Sequence, residues 1–193
     1  MVKKVLIISA SPRRNGNSDI LCNQFMQGAQ EAGHEVEKVF LRDKNIKYCT
    51  GCYTCLKTKG ICAYKDDMPE LLQKMIDADT LVLSTPVYFY CMNAQLKTVI
   101  DRTVARYTEI RDKDAYLIAT AGEDGMPAME GTIVSFRGFL GCLENVREAG
   151  LILGHEVHEL GEVREKPITQ QAYEAGKKIG QSANKEAIVG SVI

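Results

Sequence analysis

Short apolar runs alternate along the chain with stretches in which apolar residues recur every three or four positions. The apolar runs predict five buried strands, at residues 3–9, 35–41, 80–85, 115–120 and 151–160. The helical spacing predicts five helices, at residues 18–32, 67–78, 93–107, 130–149 and 168–186. Strand and helix therefore alternate along nearly the whole chain.

This alternation predicts an α/β protein. Strands of continuous Val, Ile and Leu are typical of a parallel sheet that helices cover on both faces. Right-handed crossovers leave few arrangements of five strands, and we predict the three-layer flavodoxin-like fold with the strand order 2-1-3-4-5. Such sheets bind ligands outside the carboxyl ends of the strands, near the point where the strand order reverses. The loops after the first, third and fourth strands therefore form the candidate site.

Composition narrows the class of protein. The 193 residues suit a single domain, which carries a cysteine-rich insertion at about 46–66. The net charge of −1 provides no basic excess for nucleic acid or for an anionic membrane surface. No run approaches the roughly 20 apolar residues of a spanning helix, and the first apolar run is too short for a signal peptide. We therefore expect a cytoplasmic protein with no nucleic-acid or membrane partner.

The loop after the first predicted strand, SASPRRNGNS at 9–18, has the composition of a phosphate site. Hydroxyls, arginines, a glycine and the free N–H groups of a helix start converge there, and these are the donors that a phosphate needs. The fingerprint G-x-G-x-x-G is absent, so a terminal phosphate monoester suits the loop better than a buried pyrophosphate. The same residues also suit an ordinary turn followed by a helix cap, and that interpretation stays open.

Three aromatic residues, Tyr88, Phe89 and Tyr90, follow the third predicted strand. At the edge of a sheet they cannot all belong to the core, and a flat apolar ring stacks well on such side chains. They can equally cover the end of the sheet or form a dimer contact. Asn93, which follows them, is suited to cap the next helix.

Four of the seven cysteines, Cys49, Cys52, Cys55 and Cys62, lie within fourteen positions. Three thiolates at three-residue intervals and a fourth from a short loop can surround one metal cluster, and four thiolates are the usual ligands of a [4Fe–4S] cluster. Structural zinc also takes four cysteines, although it usually uses two separated pairs. Thiol–disulfide exchange through Cys-x-x-Cys would also account for the segment, as would cysteines kept without a metal.

The remaining cysteines are expected to be structural, and two of the histidines are expected to share no metal site. Cys22 and Cys142 are each predicted to be a small buried residue within a helix. His155 and His158 are three positions apart in the predicted fifth strand, so they would point to opposite faces and share no metal.

Four stretches of the chain together resemble one family. SASPRRNGNS, the cysteine-rich segment running into KDDM, ADTLVLSTPVYF and NAQLKTVIDR follow one another across residues 5–107. They resemble the iron–sulfur flavoprotein and NAD(P)H-dependent FMN reductase group of flavodoxin-like proteins. The resemblance implies FMN, with its phosphate in the first loop, its ring beside the loops after the third and fourth strands, and a cluster on the four clustered cysteines. The FMN contacts it implies are Ser9, Ser11, Pro12, Arg13, Asn17, Ser18, Pro86, Val87, Tyr88, Phe89, Asn93, Ala121, Gly122 and Glu123.

Three functions remain open. A protein holding both FMN and a [4Fe–4S] cluster would couple a one-electron carrier, such as ferredoxin, to a two-electron partner, with the chemistry on the flavin and no catalytic side chain. An FMN or quinone reductase that takes electrons from NAD(P)H would need no cluster. A redox sensor would bind FMN or a metal without turnover. The resemblance also implies a homodimer or homotetramer.

Overall fold

A computed structural model describes residues 1–181 of the chain. Its strands and helices are, in chain order, β1 (Lys4–Ser9), α1 (Asn17–Glu31), β2 (Glu35–Phe40), α2 (Thr54–Lys57), α3 (Met68–Asp77), β3 (Thr80–Tyr88), β4 (Cys91–Met92), α4 (Ala94–Arg102), β5 (Lys113–Thr120), α5 (Met126–Leu140), β6 (Val146–Gly154) and α6 (Ile168–Lys177). No helix among these residues has both the length and the apolar character that crossing a membrane requires.

Five strands pair in parallel in the order β2-β1-β3-β5-β6. Numbered among themselves they follow the order 2-1-3-4-5, which confirms the predicted flavodoxin-like fold. The two-residue strand β4 pairs antiparallel with the end of β3 through Val87–Met92 and Tyr88–Cys91. This short hairpin was not predicted, because its turn consists of aromatic residues and lacks the usual glycine or asparagine.

Alternation along the strands produces two apolar layers. Because successive strand residues point to opposite faces, Leu6 and Ile8 pack on the side of α3, α4 and α5. Val5 and Ile7 pack on the other side, against α1 and α6. Helices therefore cover the sheet on both faces and leave the carboxyl ends of its strands at one edge.

The last part of the chain differs from the prediction. The predicted helix at 130–149 is α5, which begins at Met126 and ends at Leu140, and the predicted strand at 151–160 is β6, Val146–Gly154. Charged residues concealed this strand, since Arg147 and Glu148 interrupt its apolar run. β6 lies at the edge of the sheet, and each of these side chains forms an ion pair with a neighbouring element. Arg147 Nε lies 2.9 Å from Asp114 Oδ1, and Glu148 Oε2 lies 2.7 Å from Arg137 Nε.

Three side-chain predictions change with these boundaries. Cys142 lies beyond α5 and is exposed, so the prediction of a buried helical residue is wrong for it, whereas Cys22 is buried in α1. His155 and His158 follow β6 and do not occupy opposite faces of a strand. The last helix, α6, ends at Lys177, and residues 182–186 of the predicted helix lie outside the described residues.

Helices α1 and α6 meet backbone to backbone at two glycines. A Cβ on Gly28 would lie 2.0 Å from the carbonyl oxygen of Tyr173, and one on Gly176 would lie 2.1 Å from that of Phe25. We therefore expect Gly28→Ala to push the helices apart and to lower the free energy of unfolding by about 2–3 kcal/mol, despite the better helix propensity of alanine.

Thermal unfolding measures this effect, with Gly138→Ala as the matched control. Gly138 also lies inside a helix, but a Cβ there would meet nothing within 4 Å. The control should keep or slightly raise the melting temperature, while Gly28→Ala should lower it by about 5–10 °C. Equal melting temperatures for the two variants would contradict the close helix contact.

Candidate functional site

The loop between β1 and α1 is held by a partly buried ion pair that the sequence analysis missed. The Asp19 carboxylate accepts hydrogen bonds from the Asn15 N–H at 3.0 Å and from Ser9 Oγ at 3.3 Å. Lys38 of β2 contacts the same carboxylate, with Nζ 2.8 Å from Oδ1. The pair fixes the loop and leaves little net charge beside the start of α1. The acidic residue in the first helical turn was the available sequence signal.

Glycine permits the loop to close over the start of α1. Ser11 Oγ donates to the Arg13 carbonyl at 2.7 Å and accepts the Arg13 N–H at 3.2 Å. A Cβ on Gly16 would lie 2.6 Å from Ser11 Oγ, so a larger residue would displace the hydroxyl. Gly16 also provides no side-chain cap for α1, which leaves the first helical N–H groups without a capping side chain. Hydroxyls beside such a helix start match the donors that a phosphate monoester requires.

The six residues of the first loop that are predicted to contact FMN have unequal environments. The structure buries Ser9, Ser11, Asn17 and Ser18, half-buries Pro12 and exposes Arg13. The Asn17 side chain is fully used elsewhere: its Nδ2 donates to the carbonyls of Val157 and Glu159, and its Oδ1 accepts the Val163 N–H. Asn17 therefore holds the segment after β6 against the loop. Of its hydrogen-bonding groups, only the backbone N–H is left to bind a phosphate.

Asn93 joins the loops that follow β1 and β3. Its Nδ2 donates to the Ala10 carbonyl at 2.6 Å, and its backbone N–H donates to Thr85 Oγ1 at 3.0 Å. Its Oδ1 accepts the Leu96 N–H at 3.1 Å, which confirms the predicted cap of α4. The residue is buried, so its part in the site is to position the two loops.

Removing this amide should destabilise the protein. We expect Asn93→Ala to lower the free energy of unfolding by about 2–4 kcal/mol, because it removes a helix cap and leaves the buried Ala10 carbonyl without its donor. Urea unfolding followed by circular dichroism provides the measurement. Gln95→Ala, at an exposed position of the same helix, is the control and should change stability by less than about 0.5 kcal/mol. A comparable loss in both variants would show that the amide has no special role.

The aromatic residues after β3 form the tip of a hairpin. Phe89 and Tyr90 have φ angles of 50° and 63°, which are left-handed values that bulky residues rarely adopt. Two such residues in succession fit a type I′ turn, and the turn leaves Tyr88, Phe89 and Tyr90 exposed. Strained backbone of this kind is concentrated at ligand and partner sites. The turn thus holds three aromatic side chains at the carboxyl edge of the sheet.

A cleft of about 270 Å³ opens between this hairpin and the loop after β5. Five predicted ring contacts line it together, from two loops that the sequence separates by more than thirty residues. They are Val87, Phe89, Ala121, Gly122 and Glu123, and the unpredicted Tyr90, Ala128 and His158 complete the lining. Pro86 and Tyr88, the other two predicted contacts in the hairpin strand, do not line the cleft.

Two of the unpredicted residues organise this cleft. The Tyr90 hydroxyl donates to Glu123 Oε2 at 2.7 Å, and this bond to the carboxylate raises the pKa of Tyr90. His158 packs directly on Gly122, where a Cβ would lie 2.3 Å from the imidazole. The position of His158 could not be predicted, because it depends on β6 ending at Gly154.

The four clustered cysteines line a second cavity, of about 350 Å³. Cys49 and Cys52 are exposed, Cys62 is partly exposed, and Cys55 is buried in α2. Hydrogen bonds to Thr54 lower the pKa of the Cys52 thiol, which favours the thiolate form that binds metal.

The donors around this cavity bear on the kind of metal site. Among residues 1–181, no group of three Cys, His, Asp or Glu side chains is already arranged around a metal ion. Four thiols around one cavity are the usual donor set of a cluster of four irons and four sulfides. Four thiols also bind structural zinc, so the donor set fits both kinds of metal site.

A buried ion pair closes the base of the cysteine segment. Arg102, the last residue of α4, contacts Asp66 with Nη1–Oδ2 at 2.7 Å and Nη2–Oδ1 at 3.0 Å. Their side chains are 2% and 0% exposed. The Arg102 guanidinium also donates to the Lys47 carbonyl and to Cys62 Sγ. Sequence reasoning missed this pair because 36 positions separate its members.

Sequence comparison finds a matching family and several related proteins. Residues 3–147 match the family model described as NADPH-dependent FMN reductase. A protein of Archaeoglobus fulgidus named iron–sulfur flavoprotein is 43% identical over 99 residues, 51% of this chain and 44% of that protein. One of Methanocaldococcus jannaschii with the same name is 43% identical over 100 residues, 52% of this chain and 51% of that protein. The chain thus matches about half the length of these relatives.

Solved structures show the same fold over most of the chain. A chain described as flavone reductase has 26% identity and a TM-score of 0.69, and the match covers 91% of this chain and 61% of that one. The NAD(P)H:quinone oxidoreductase from Methanothermobacter marburgensis has 21% identity and a TM-score of 0.73, and the match covers 96% of this chain and 100% of that one.

Proposed function

We propose that this chain, which belongs to the NADPH-dependent FMN reductase family, is a flavin-dependent oxidoreductase that also carries a [4Fe–4S] cluster. One observation carries the proposal: Cys49, Cys52, Cys55 and Cys62 line one cavity in a chain that also has a cleft at the carboxyl edge of its sheet. The relatives named iron–sulfur flavoprotein support the cluster over the part of the chain that they match.

The residues present fit both groups. For FMN, the Ser18 hydroxyl and the N–H groups at the start of α1 would hold the phosphate, with Arg13 free to approach from solvent. The Ser9 and Ser11 hydroxyls would join them by turning from the Asp19 carboxylate and the Arg13 carbonyl. The cleft between the aromatic hairpin and the loop after β5 would hold the ring. When bound, FMN supplies one- or two-electron chemistry and the cluster supplies one-electron chemistry, so the protein would couple partners of both kinds.

The protein's own residues would bind and orient these groups. The Glu123 carboxylate, held by the Tyr90 hydroxyl, places negative charge at one wall of the ring cleft and would disfavour an additional negative charge there. No side chain of the cleft is needed as a covalent catalyst. The aromatic hairpin would exclude water from one side of the ring.

An FMN or quinone reductase that uses NAD(P)H without a cluster is the second candidate function. The exposure of Cys49 and Cys52 favours it, because exposed thiols can remain free or exchange disulfides. NAD(P)H is also the electron donor that the family description implies.

We place the protein in the cytoplasm as a homodimer or homotetramer. None of the seven cysteines, all of which lie within residues 1–181, forms a disulfide, and a reducing compartment keeps cysteines in this state. The fully exposed Phe89 and its aromatic neighbours at the hairpin tip offer a surface for a second subunit. Besides a second subunit, the protein would have a redox partner, which would be a small-molecule oxidant or reductant or a one-electron carrier of the ferredoxin type.

Anaerobic titration with dithionite tests the proposed pairing of the two groups. Protein purified without oxygen should take up about three electrons per chain, two for FMN and one for the cluster. Uptake of two electrons, with only the flavin spectrum changing, would reject the cluster and support the reductase that lacks it. Steady oxidation of NADPH with a quinone would then identify that second function directly.

A further inference from the structure

The Arg102 guanidinium donates a hydrogen bond to a sulfur of the cysteine segment. Its Nη2 lies 3.4 Å from Cys62 Sγ, and its Cζ lies 5.3 Å from the centre of the Tyr64 ring. Among the hydrogen bonds of residues 1–181, this one alone joins a charged side chain to one of the four clustered sulfurs. The other bonds to these sulfurs involve the Thr54 hydroxyl and the Tyr64 N–H.

Arg102 is held rigidly in this position. Asp66 binds the planar guanidinium through both carboxylate oxygens, and the same carboxylate accepts the N–H groups of Lys47 at 3.0 Å and Met68 at 3.2 Å. The Lys47 carbonyl accepts a further bond from Nη1 at 2.5 Å. Both ends of the cysteine segment therefore meet at this one ion pair. A buried pair of this geometry keeps its orientation.

The orientation determines the electric field at the sulfur. Nη2 donates both to Cys62 Sγ at 3.4 Å and to Asp66 Oδ1 at 3.0 Å, and the same carboxylate also accepts the N–H groups of Lys47 and Met68. A thiolate at Cys62 therefore receives an N–H donor from a cation whose charge Asp66 partly offsets. Hydrogen bonds to sulfur and nearby charge are two determinants of the reduction potential of an iron–sulfur cluster.

Helix α4 links this contact to the loops that follow β1 and β3. Asn93 at its start is fixed between these loops, and Arg102 at its end is fixed to the cysteine segment. The nine steps between them span about 14 Å at 1.5 Å per residue.

We propose that Arg102 is a positioning residue for the cluster, which orients Cys62 and raises the cluster's reduction potential by stabilising the additional negative charge of the reduced form. This inference rests on the proposed function, because it requires a cluster on the four cysteines. Asp66 has the opposite effect, since its carboxylate offsets part of the positive charge that Arg102 brings to Cys62.

The reduction potential of the cluster, measured by anaerobic spectroelectrochemical titration of the purified protein, tests the proposal. Arg102→Lys keeps a positive charge but cannot contact Asp66 and Cys62 together, so the reduction equilibrium should shift at least tenfold toward the oxidised cluster. A tenfold shift is 59 mV for a one-electron couple. Asp66→Asn removes the offsetting charge and should shift the potential in the opposite direction. The FMN potential, recorded in the same titration, should stay unchanged in both variants.

Arg106→Lys is the matched control, because it makes the same chemical change near the same segment. Arg106 pairs with Glu109 and makes no hydrogen bond to a sulfur within the described residues. The cluster in Arg106→Lys should have the same reduction potential as the cluster in the wild type. If Arg102 had only a structural role, Arg102→Lys and Asp66→Asn would both lose iron, and their cluster potentials would not shift in opposite directions.

The outcomes separate this inference from the proposed function. Wild-type protein without iron would overturn both. If the wild type holds a cluster and the cluster potential is the same in Arg102→Lys, the inference alone is overturned. If Arg102→Lys does not fold, Asp66→Asn decides: a raised potential supports the inference, and an unchanged or lowered one overturns it.

Discussion

Ser11→Asp is expected to weaken FMN binding at least about a hundredfold, or about 2.7 kcal/mol. Ser11 Oγ lies against the Arg13 backbone beside the start of α1, where the phosphate would bind. An aspartate can still accept the Arg13 N–H, so the loop keeps this hydrogen bond. The new carboxylate would repel the phosphate, because like charges at short distance raise each other's energy.

Ser11→Asn is the matched control, since it adds the same volume without the charge. Flavin fluorescence quenching measures both affinities, and riboflavin serves as a ligand that lacks the phosphate. The two variants should bind riboflavin alike and differ only toward FMN. If both bind FMN with the same affinity, the phosphate does not occupy this loop.

Cys55→Ser is expected to remove most of the iron from protein purified without oxygen, while FMN stays bound. Cys55 is buried at the wall of the second cavity, and a serine hydroxyl is a poor replacement for a thiolate on iron. The flavin should remain because other loops form its candidate site. Iron, sulfide and flavin assays provide the measurement.

Cys142→Ser controls for the loss of a thiol as such. Cys142 follows α5, is exposed and does not line the second cavity, so this variant should keep its full iron content. Unchanged iron in Cys55→Ser would show that the four cysteines do not hold the cluster. One zinc per chain in the wild type, lost in Cys55→Ser, would assign the segment to structural zinc.

The sequence predicted the fold where strands are apolar throughout. β1 and β3 are buried on both faces, so their Val, Ile and Leu runs gave a clear signal. The edge strand β6 gave a poor one, because Arg147 and Glu148 are stabilised by partners on β5 and α5 that a local pattern cannot contain.

The candidate site divides in the same way. Local features, such as the spacing of the cysteines and the hydroxyls of the first loop, were visible in the sequence. Long-range contacts were not: the pairs Asp19–Lys38 and Asp66–Arg102 join residues 19 and 36 positions apart. The family resemblance implied Asn17 as a phosphate contact, and its side chain binds the backbone of the segment after β6, which leaves its backbone N–H for that role. Tertiary contacts thus decide which loop residues remain free for a ligand.

The iron, acid-labile sulfide and flavin content of protein purified without oxygen decides whether the protein holds both FMN and a [4Fe–4S] cluster. We expect about four irons and four sulfides for each FMN. FMN without iron or sulfide, in protein kept free of oxygen throughout, would contradict it and would leave a flavin reductase whose cysteines serve another purpose.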